Sequence, residues 1–322
     1  MTELQTLGAF IETAVSSYSM PQNPANLYDP LRYFMTLGGK RIRPTLTLMS
    51  AELFGVSKEE SLPAALCIEF FHNFSLIHDD IMDAAPVRRG KPTVHTQWNE
   101  NIAILSGDVL FVEAYHQLAQ YTDERLSPLL IRFNETAREV CEGQQFDMDF
   151  ETARVVNESN YIEMIRLKTS VLLGCALEFG AILGKQDERT CQLIYDFGVQ
   201  LGIAFQIQDD LLDLYADPEK FGKQVGGDIL SNKKTLLLLT AQRIATSNQD
   251  SRVTALLEME ATAQKVAIAQ TLFEELGAVE AVKQTMNAYY AQSLEALAQL
   301  EVDETKKKPL LQLAEFLMNR EL

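Results

Sequence analysis

Apolar positions in the second half of the chain step by three and four residues: Ile162, Ile165, Thr169 and Leu172 in one stretch, Val199, Ile203 and Ile207 in another. That spacing gives a helix one apolar face, whereas alternation bounded by Asn-Gly or Asp-Gly turns, the mark of hairpins, is missing. Prolines crowd the beginning, from Pro21 to Pro128, and only Pro218 and Pro309 follow, so the later chain is free to run as long helices. The pattern predicts helices over about 3–17, 27–37, 44–54, 59–82, 99–121, 126–150, 158–183, 187–215, 233–246, 260–276, 279–299 and 305–320. No low-complexity linker divides them, and the expected fold class is all-α, with 1–322 forming a single domain. The one stretch rich in Gly and Lys, FGKQVGGDILSNKK from Phe221 to Lys234, reads as a functional loop inside that domain.

Two helices end in carboxylates. CIEFFHNFSLIHDDIMD runs from an apolar body into Asp79, Asp80 and Asp83, and LGIAFQIQDDLLDLYADPEK repeats the device with Asp209, Asp210 and Asp213. Like charges at i and i+4 repel, and a helix C-terminus is already the negative end of the dipole. The arrangement becomes favourable when hard cations sit between the carboxylates and a polyphosphate, since Mg²⁺ takes one or two carboxylates and fills its octahedron with phosphate oxygens and water. Facing each other across a helix bundle, the two motifs would make a multinuclear metal site for a diphosphate.

The chain carries 28 basic and 45 acidic residues, a formal charge of -17. Such a surface repels nucleic acid and anionic lipid, so an anionic substrate demands a local positive site. GGKRIRP provides one, with Gly38 and Gly39 allowing close backbone approach and Lys40, Arg41 and Arg43 bringing charge. VRRGKP provides another, placing Arg88, Arg89 and Lys91 just beyond Asp83. Lys168 with Thr169, Lys223, and Lys233 with Lys234 are further candidates, Lys168 foremost because it interrupts an apolar helix. Gln206 shares a face with Asp209 and is either a substrate hydrogen-bonder or a packing amide. His72, two turns before Asp79, is either a phosphate donor or a core histidine. Cys67, Cys141, Cys175 and Cys191 form no CxxC pair, and the N-terminus has neither a basic n-region nor an apolar span; no membrane span and a reducing cytoplasm are expected.

Taken in order, GGKRIRP, FHNFSLIHDDIMD, RRG, EGQQFDMD, KT, FQIQDDLLD and GK resemble the trans-isoprenyl diphosphate synthase (polyprenyl synthetase) family over nearly the whole chain. The resemblance implies long antiparallel helices around a central cavity, a homodimer, and transfer of an allylic prenyl group to isopentenyl diphosphate. Position by position it implies that Asp79, Asp83 and Asp209 hold three Mg²⁺ with Asp80, Asp210 and Asp213 in support. Arg88, Lys168, Lys223 and Lys233 would bind the allylic diphosphate, and Lys40, Arg43, His72 and Arg89 the isopentenyl diphosphate. Thr169 and Gln206 would line the reacting carbons and, with Lys168, make up the catalytic set, with Gln144 and Asp147 behind them.

The residues preceding Asp79 bear on product length. At about 100° per residue, Ser75 and Phe71 lie nearest the Asp79 face, with Phe74 beside them about 7 Å back along the axis. In the resembled family an aromatic residue five positions before the first aspartate, here Phe74, goes with short products, and DDIMD lacks the two extra residues of the bacterial farnesyl-forming type. A geranylgeranyl (C20) product is expected, with Phe71 leaving farnesyl (C15) open. Rival readings are a terpene cyclase of the same fold, which needs no second diphosphate site, and a longer-chain polyprenyl diphosphate synthase. A regulatory subunit would lack one aspartate motif, and a plain acidic metal-binding protein would not explain Arg88, Arg89 and Lys168.

Overall fold

The computed structural model describes residues 3–215 and 225–319. Its helices are α1 (Glu3–Ser16), α2 (Ala25–Thr36), α3 (Ile42–Leu53), α4 (Lys58–Met82), α5 (Val94–Gln97), α6 (Glu100–Leu118), α7 (Leu126–Thr152), α8 (Glu158–Ile165), α9 (Val171–Leu183), α10 (Glu188–Tyr215), α11 (Gly227–Leu230), α12 (Leu236–Ser247), α13 (Arg252–Leu257), α14 (Ala263–Glu275), α15 (Ala278–Ala298) and α16 (Glu304–Met318). The all-α expectation holds. Helix starts follow side-chain chemistry: the Ser57 side chain accepts from Glu60 N at 3.2 Å, Asn99 from Ile102 N at 2.9 Å, and Asn157 forms a capping box with Asn160. Among the described residues no helix is long and apolar enough to cross a membrane.

The short helices α5, α11 and α13 form where none is expected, and three further features depart from the periodicity. The expected helix 158–183 is interrupted by a π turn, Arg166–Ser170, in which Val171 N donates to the carbonyl five residues back, on Arg166. The basic run VRRGKP is a hairpin, β1 (Val87–Arg88) against β2 (Lys91–Pro92). Its two turn residues, Arg89 (φ 53°) and Gly90 (φ 72°), are both left-handed, as a tight two-residue hairpin turn requires. The expected helix 233–246 begins later, at Leu236, because the Thr235 side chain caps it by accepting from Leu238 N.

The chain forms two compact units. The first comprises Met1–Glu135, Cys175–Gln192 and Val302–Leu310. In it α4 packs against α3 and α6, and α2 also packs on α6. The body of α4 is fully covered at Ala64, Ala65, Ile68, Phe70 and Phe71, which fixes the direction in which its charged end leaves the core. The second unit comprises Thr136–Gly174, Leu193–Glu301 and Leu311–Leu322. Its core joins Ile203, Ile207 and Leu211 of α10 to Leu236–Leu239 of α12 and to Leu272 and Phe273 of α14.

One buried ion pair organises the first unit's Gly-rich loop. Arg41, left-handed at φ 48°, turns its guanidinium inward, where it pairs with Glu69 of α4 and donates to Glu12 of α1 at 2.8 Å. Asn73 completes the Glu69 shell at 3.1 Å. Burial alone would lower the Arg41 pKa, and the two carboxylates outweigh it, so the guanidinium stays charged. The sequence grouped Arg41 with the ligand-facing cations; it is instead the anchor that holds Gly38–Lys40 against α4. Removing one partner of a buried pair strands the other charge, so Glu69→Ala should lower the unfolding free energy by about 3 kcal/mol in urea titration. Adding Arg41→Met to that variant should recover part of the loss.

Candidate active site

In the first unit, α4 delivers its carboxylates at its last turn. Asp79 is partly exposed, Asp83 is the exposed C-cap residue, and Asp80 is buried. Arg88 from the hairpin grips Asp80 through its Nε, at 2.9 and 2.8 Å to the two carboxylate oxygens. The middle aspartate is thereby neutralised and fixed, which lessens the repulsion along DDIMD and leaves Asp79 and Asp83 toward solvent.

Beside them lies a cationic nest. Arg43 Nη1 is 3.3 Å from His72 Nε2. Gly39 adopts φ 153°, and a Cβ there would lie 2.9 Å from the Arg89 guanidinium, which would have to move aside. Lys40 is exposed at the same loop. Burial and the charges of Arg43, Arg89, Arg88 and Arg41 hold the His72 imidazole well below its ordinary value. His72 is therefore neutral in a pocket of positive charge, an environment that an anion with several oxygens would stabilise.

In the second unit, the π turn carries Lys168 and Thr169. A Cβ on Gly143 of α7 would lie 2.2 Å from Lys168 N, and one on Gly202 of α10 2.8 Å from Ser170 Cβ; the widened turn is clamped between two glycines. Lys168 Nζ donates to Asp147 at 2.5 Å, and Lys233 Nζ lies 3.8 Å from the same carboxylate. Lys234 points elsewhere, capping the C-terminal carbonyls of α7 through Phe150 and Glu151. Thr169 Oγ1 donates to Gln206 Oε1 at 3.4 Å, and Gln206 Nε2 to Asp210 at 3.2 Å.

DDLLD repeats the division seen in DDIMD. Asp209 and Asp213 are partly exposed, and Asp210 is buried and held by the Tyr161 hydroxyl. Burial pushes the Asp210 carboxyl up to about 7, against the hydrogen bonds from Tyr161 and Gln206 that favour its charged form. Asp213 accepts from Asp228 N at 3.0 Å, and the Asp210, Asp213 and Asp228 side chains line one small cavity with Lys233 and Thr235. Lys223 lies outside the described residues.

The donors on both motifs are carboxylate oxygens, the ligand type that suits Mg²⁺. Among the described residues no group of three or more His, Cys, Asp and Glu side chains closes a metal cage; Mg²⁺ asks only for one or two carboxylates when a polyphosphate and water supply the rest.

Behind Asp79, Ser75 donates to His72 O at 2.9 Å, Phe71 is fully buried, and Phe74 is partly exposed. The sequence reading missed the rings that surround them, Phe111 and Tyr115 of α6 and Phe133 of α7, and it missed Tyr161 and Asp228. Asp228 lay within a loop already singled out; the others are ordinary apolar or aromatic positions whose partners are remote in sequence.

The scaffold is all-α, of the isoprenoid synthase fold, and the proteins it matches make it a prenyltransferase. The model of the polyprenyl synthetase family matches residues 24–276, and the chain belongs to that family. It is 36% identical over 321 residues to a geranylgeranyl diphosphate synthase of Methanosarcina mazei, covering 99% of this chain and 97% of that one. A geranylfarnesyl diphosphate synthase of Natronomonas pharaonis is 35% identical, with 96% and 94% covered. A crystal structure of a geranylgeranyl pyrophosphate synthase superposes with a TM-score of 0.93 at 42% identity over the full length of both chains.

The depressed His72 pKa has a definite sign in stability. The unfolded chain takes up a proton near the ordinary value of 6.5 and the native state does not, so stability present above that pH is lost as pH falls below it. Between pH 6.5 and 5 the wild type should lose up to about 1.4 kcal/mol per pH unit more than His72→Gln, measured by urea titration at each pH.

Proposed function

We propose that this protein condenses isopentenyl diphosphate head to tail with allylic prenyl diphosphates, making geranylgeranyl diphosphate. The observation that carries this reading is the nest of Arg43, His72 and Arg89, a cationic cluster additional to the carboxylate ends. A terpene cyclase acts on one diphosphate and has no use for it. Lys40, Arg43, His72 and Arg89 bind isopentenyl diphosphate in this reading. Asp79, Asp83 and Asp209, supported by Asp80, Asp210 and Asp213, would hold Mg²⁺, three ions in this reading, and Arg88, Lys168, Lys223 and Lys233 would share the charge of the allylic diphosphate.

Bound Mg²⁺ supplies Lewis-acid neutralisation of the leaving diphosphate. The chain's cations add to this, Lys168 being oriented by its hydrogen bond to Asp147, so that the allylic C–O bond ionises. Thr169 and Gln206 line the reacting carbons, and the double bond of isopentenyl diphosphate attacks the cation from its neighbouring seat. The proton lost in forming the new double bond passes to the released diphosphate. Phe74 ends the growing chain, with Ser75 next to it on α4; Phe71 has no accessible surface and lies behind the exposed rings. The exposed Leu105 and Val112 of α6 and Ile131 of α7 support assembly as a homodimer, and the acidic chain, with cysteines scattered through apolar helices, is placed in the cytoplasm.

Incubation with labelled isopentenyl diphosphate, Mg²⁺ and each of the C5, C10 and C15 allylic diphosphates should give mainly C20 product on chromatography. Absence of elongation with all three would overturn the reading, and a C15 or C25 end product would correct the length alone. Arg43→Ala should raise KM for isopentenyl diphosphate by about tenfold to a hundredfold while leaving the allylic KM nearly unchanged.

A further inference from the structure

The aromatic cluster behind Asp79 has an inner and an outer layer. Phe71 and Phe133 have no accessible surface, and their rings meet edge to face at 5.3 Å. Phe74 and Phe111 are partly exposed and lie flat on each other, centroids 4.9 Å apart and planes 14° from parallel. Two further rings brace Phe74: Phe71, tilted at 5.6 Å, and His78, edge-on at 4.6 Å. Both come from α4 itself, three residues before Phe74 and four after it. Across from them, Phe111 is the ring that α6 sets against Phe74. The same helix also seats His78, whose Nε2 lies 3.1 Å from Ile104 O.

We propose that Phe111 is a second determinant of product length, acting with Phe74 as one unit. This rests on the reading of the chain as a prenyl diphosphate synthase. A single phenylalanine on a helix surface is a weak stop, because rotation about χ1 and χ2 moves its ring aside for an advancing apolar chain. A ring stacked on a second ring of another helix moves only if both move or the stack breaks. Phe111 is itself pinned by Phe71 at 5.7 Å and Tyr115 at 5.3 Å, so the outer pair is backed by the buried layer. The stop is a two-ring plate held from α4 and α6, and its strength belongs to the pair.

The test compares the products of wild type, Phe74→Ala, Phe111→Ala, Phe111→Leu and the Phe74→Ala/Phe111→Ala double variant. Each is incubated with isopentenyl diphosphate, the C15 allylic diphosphate and Mg²⁺, and the dephosphorylated products are chromatographed. Phe111→Ala, with Phe74 intact, should extend the main product by at least one five-carbon unit, and the double variant should stop where Phe74→Ala stops, because one broken plate cannot be broken twice. Turnover of Phe111→Ala at wild-type length would overturn the proposal. A double variant longer than Phe74→Ala by the same step that Phe111→Ala adds alone would show two independent stops and overturn it too. If Phe111→Ala fails to fold by circular dichroism, Phe111→Leu decides: it keeps apolar volume and loses the flat face, so longer products support the plate and unchanged ones refute it. A wild type that elongates nothing is a separate result, which removes the proposed function itself.

Discussion

Charges of one sign held close together are the constraint to which the rest of this structure answers. Two helix ends gather three aspartates each, and one loop and one hairpin gather four arginines, in a chain whose ordinary tendency is to spread such groups apart. The solution is the same each time. One member of the set is turned inward and matched: Asp80 to Arg88, Asp210 to Tyr161 and Gln206, Arg41 to Glu69 and Glu12. What remains facing outward is a smaller charge on a stiffer frame.

That matching explains why the apolar core is arranged as it is. A carboxylate such as Asp210 is held beside others only when its helix cannot rotate or slide, and α10 is fixed by Ile203, Ile207 and Leu211 packing into the second unit's core. On α4 the equivalent service comes from Phe70, Phe71 and the small residues before them. Core and site are therefore one design problem: apolar burial provides the rigidity, and the buried polar matches spend some of it on charge placement.

Much of this was legible in the chain because the functional groups violate local preference. Two aspartate runs at helix C-termini, a lysine inside an apolar helix and two glycines before three cations each contradict what a bland helix would choose, and such contradictions stand out without any partner in view. Arg41 was misread for the complementary reason. In sequence it is one cation among three, and only its left-handed backbone and the distant Glu69 reveal that it faces the core. Tyr161, Phe111 and Phe133 obey every local rule, so nothing marked them; their importance comes from what lies opposite. The π turn hid for a subtler reason, since one additional residue barely disturbs apolar positions already spaced by a mixture of threes and fours.

That turn has a consequence for how the protein can change. A π turn contains one residue more than the α-helix it interrupts, and each residue of an α-helix accounts for about 100° of rotation. Deleting that residue would restore an ordinary helical turn at Arg166–Ser170 and leave the side chains of α9, its buried Leu172, Leu173, Cys175 and Phe179 among them, on the faces they already occupy, because the wide turn absorbs the extra residue. The irregularity that presents Lys168 and Thr169 is therefore confined to one turn and asks nothing of the packing of α9. A change of one residue can in this way reshape the surface that carries Lys168 and Thr169 while the helix beyond it stays in place.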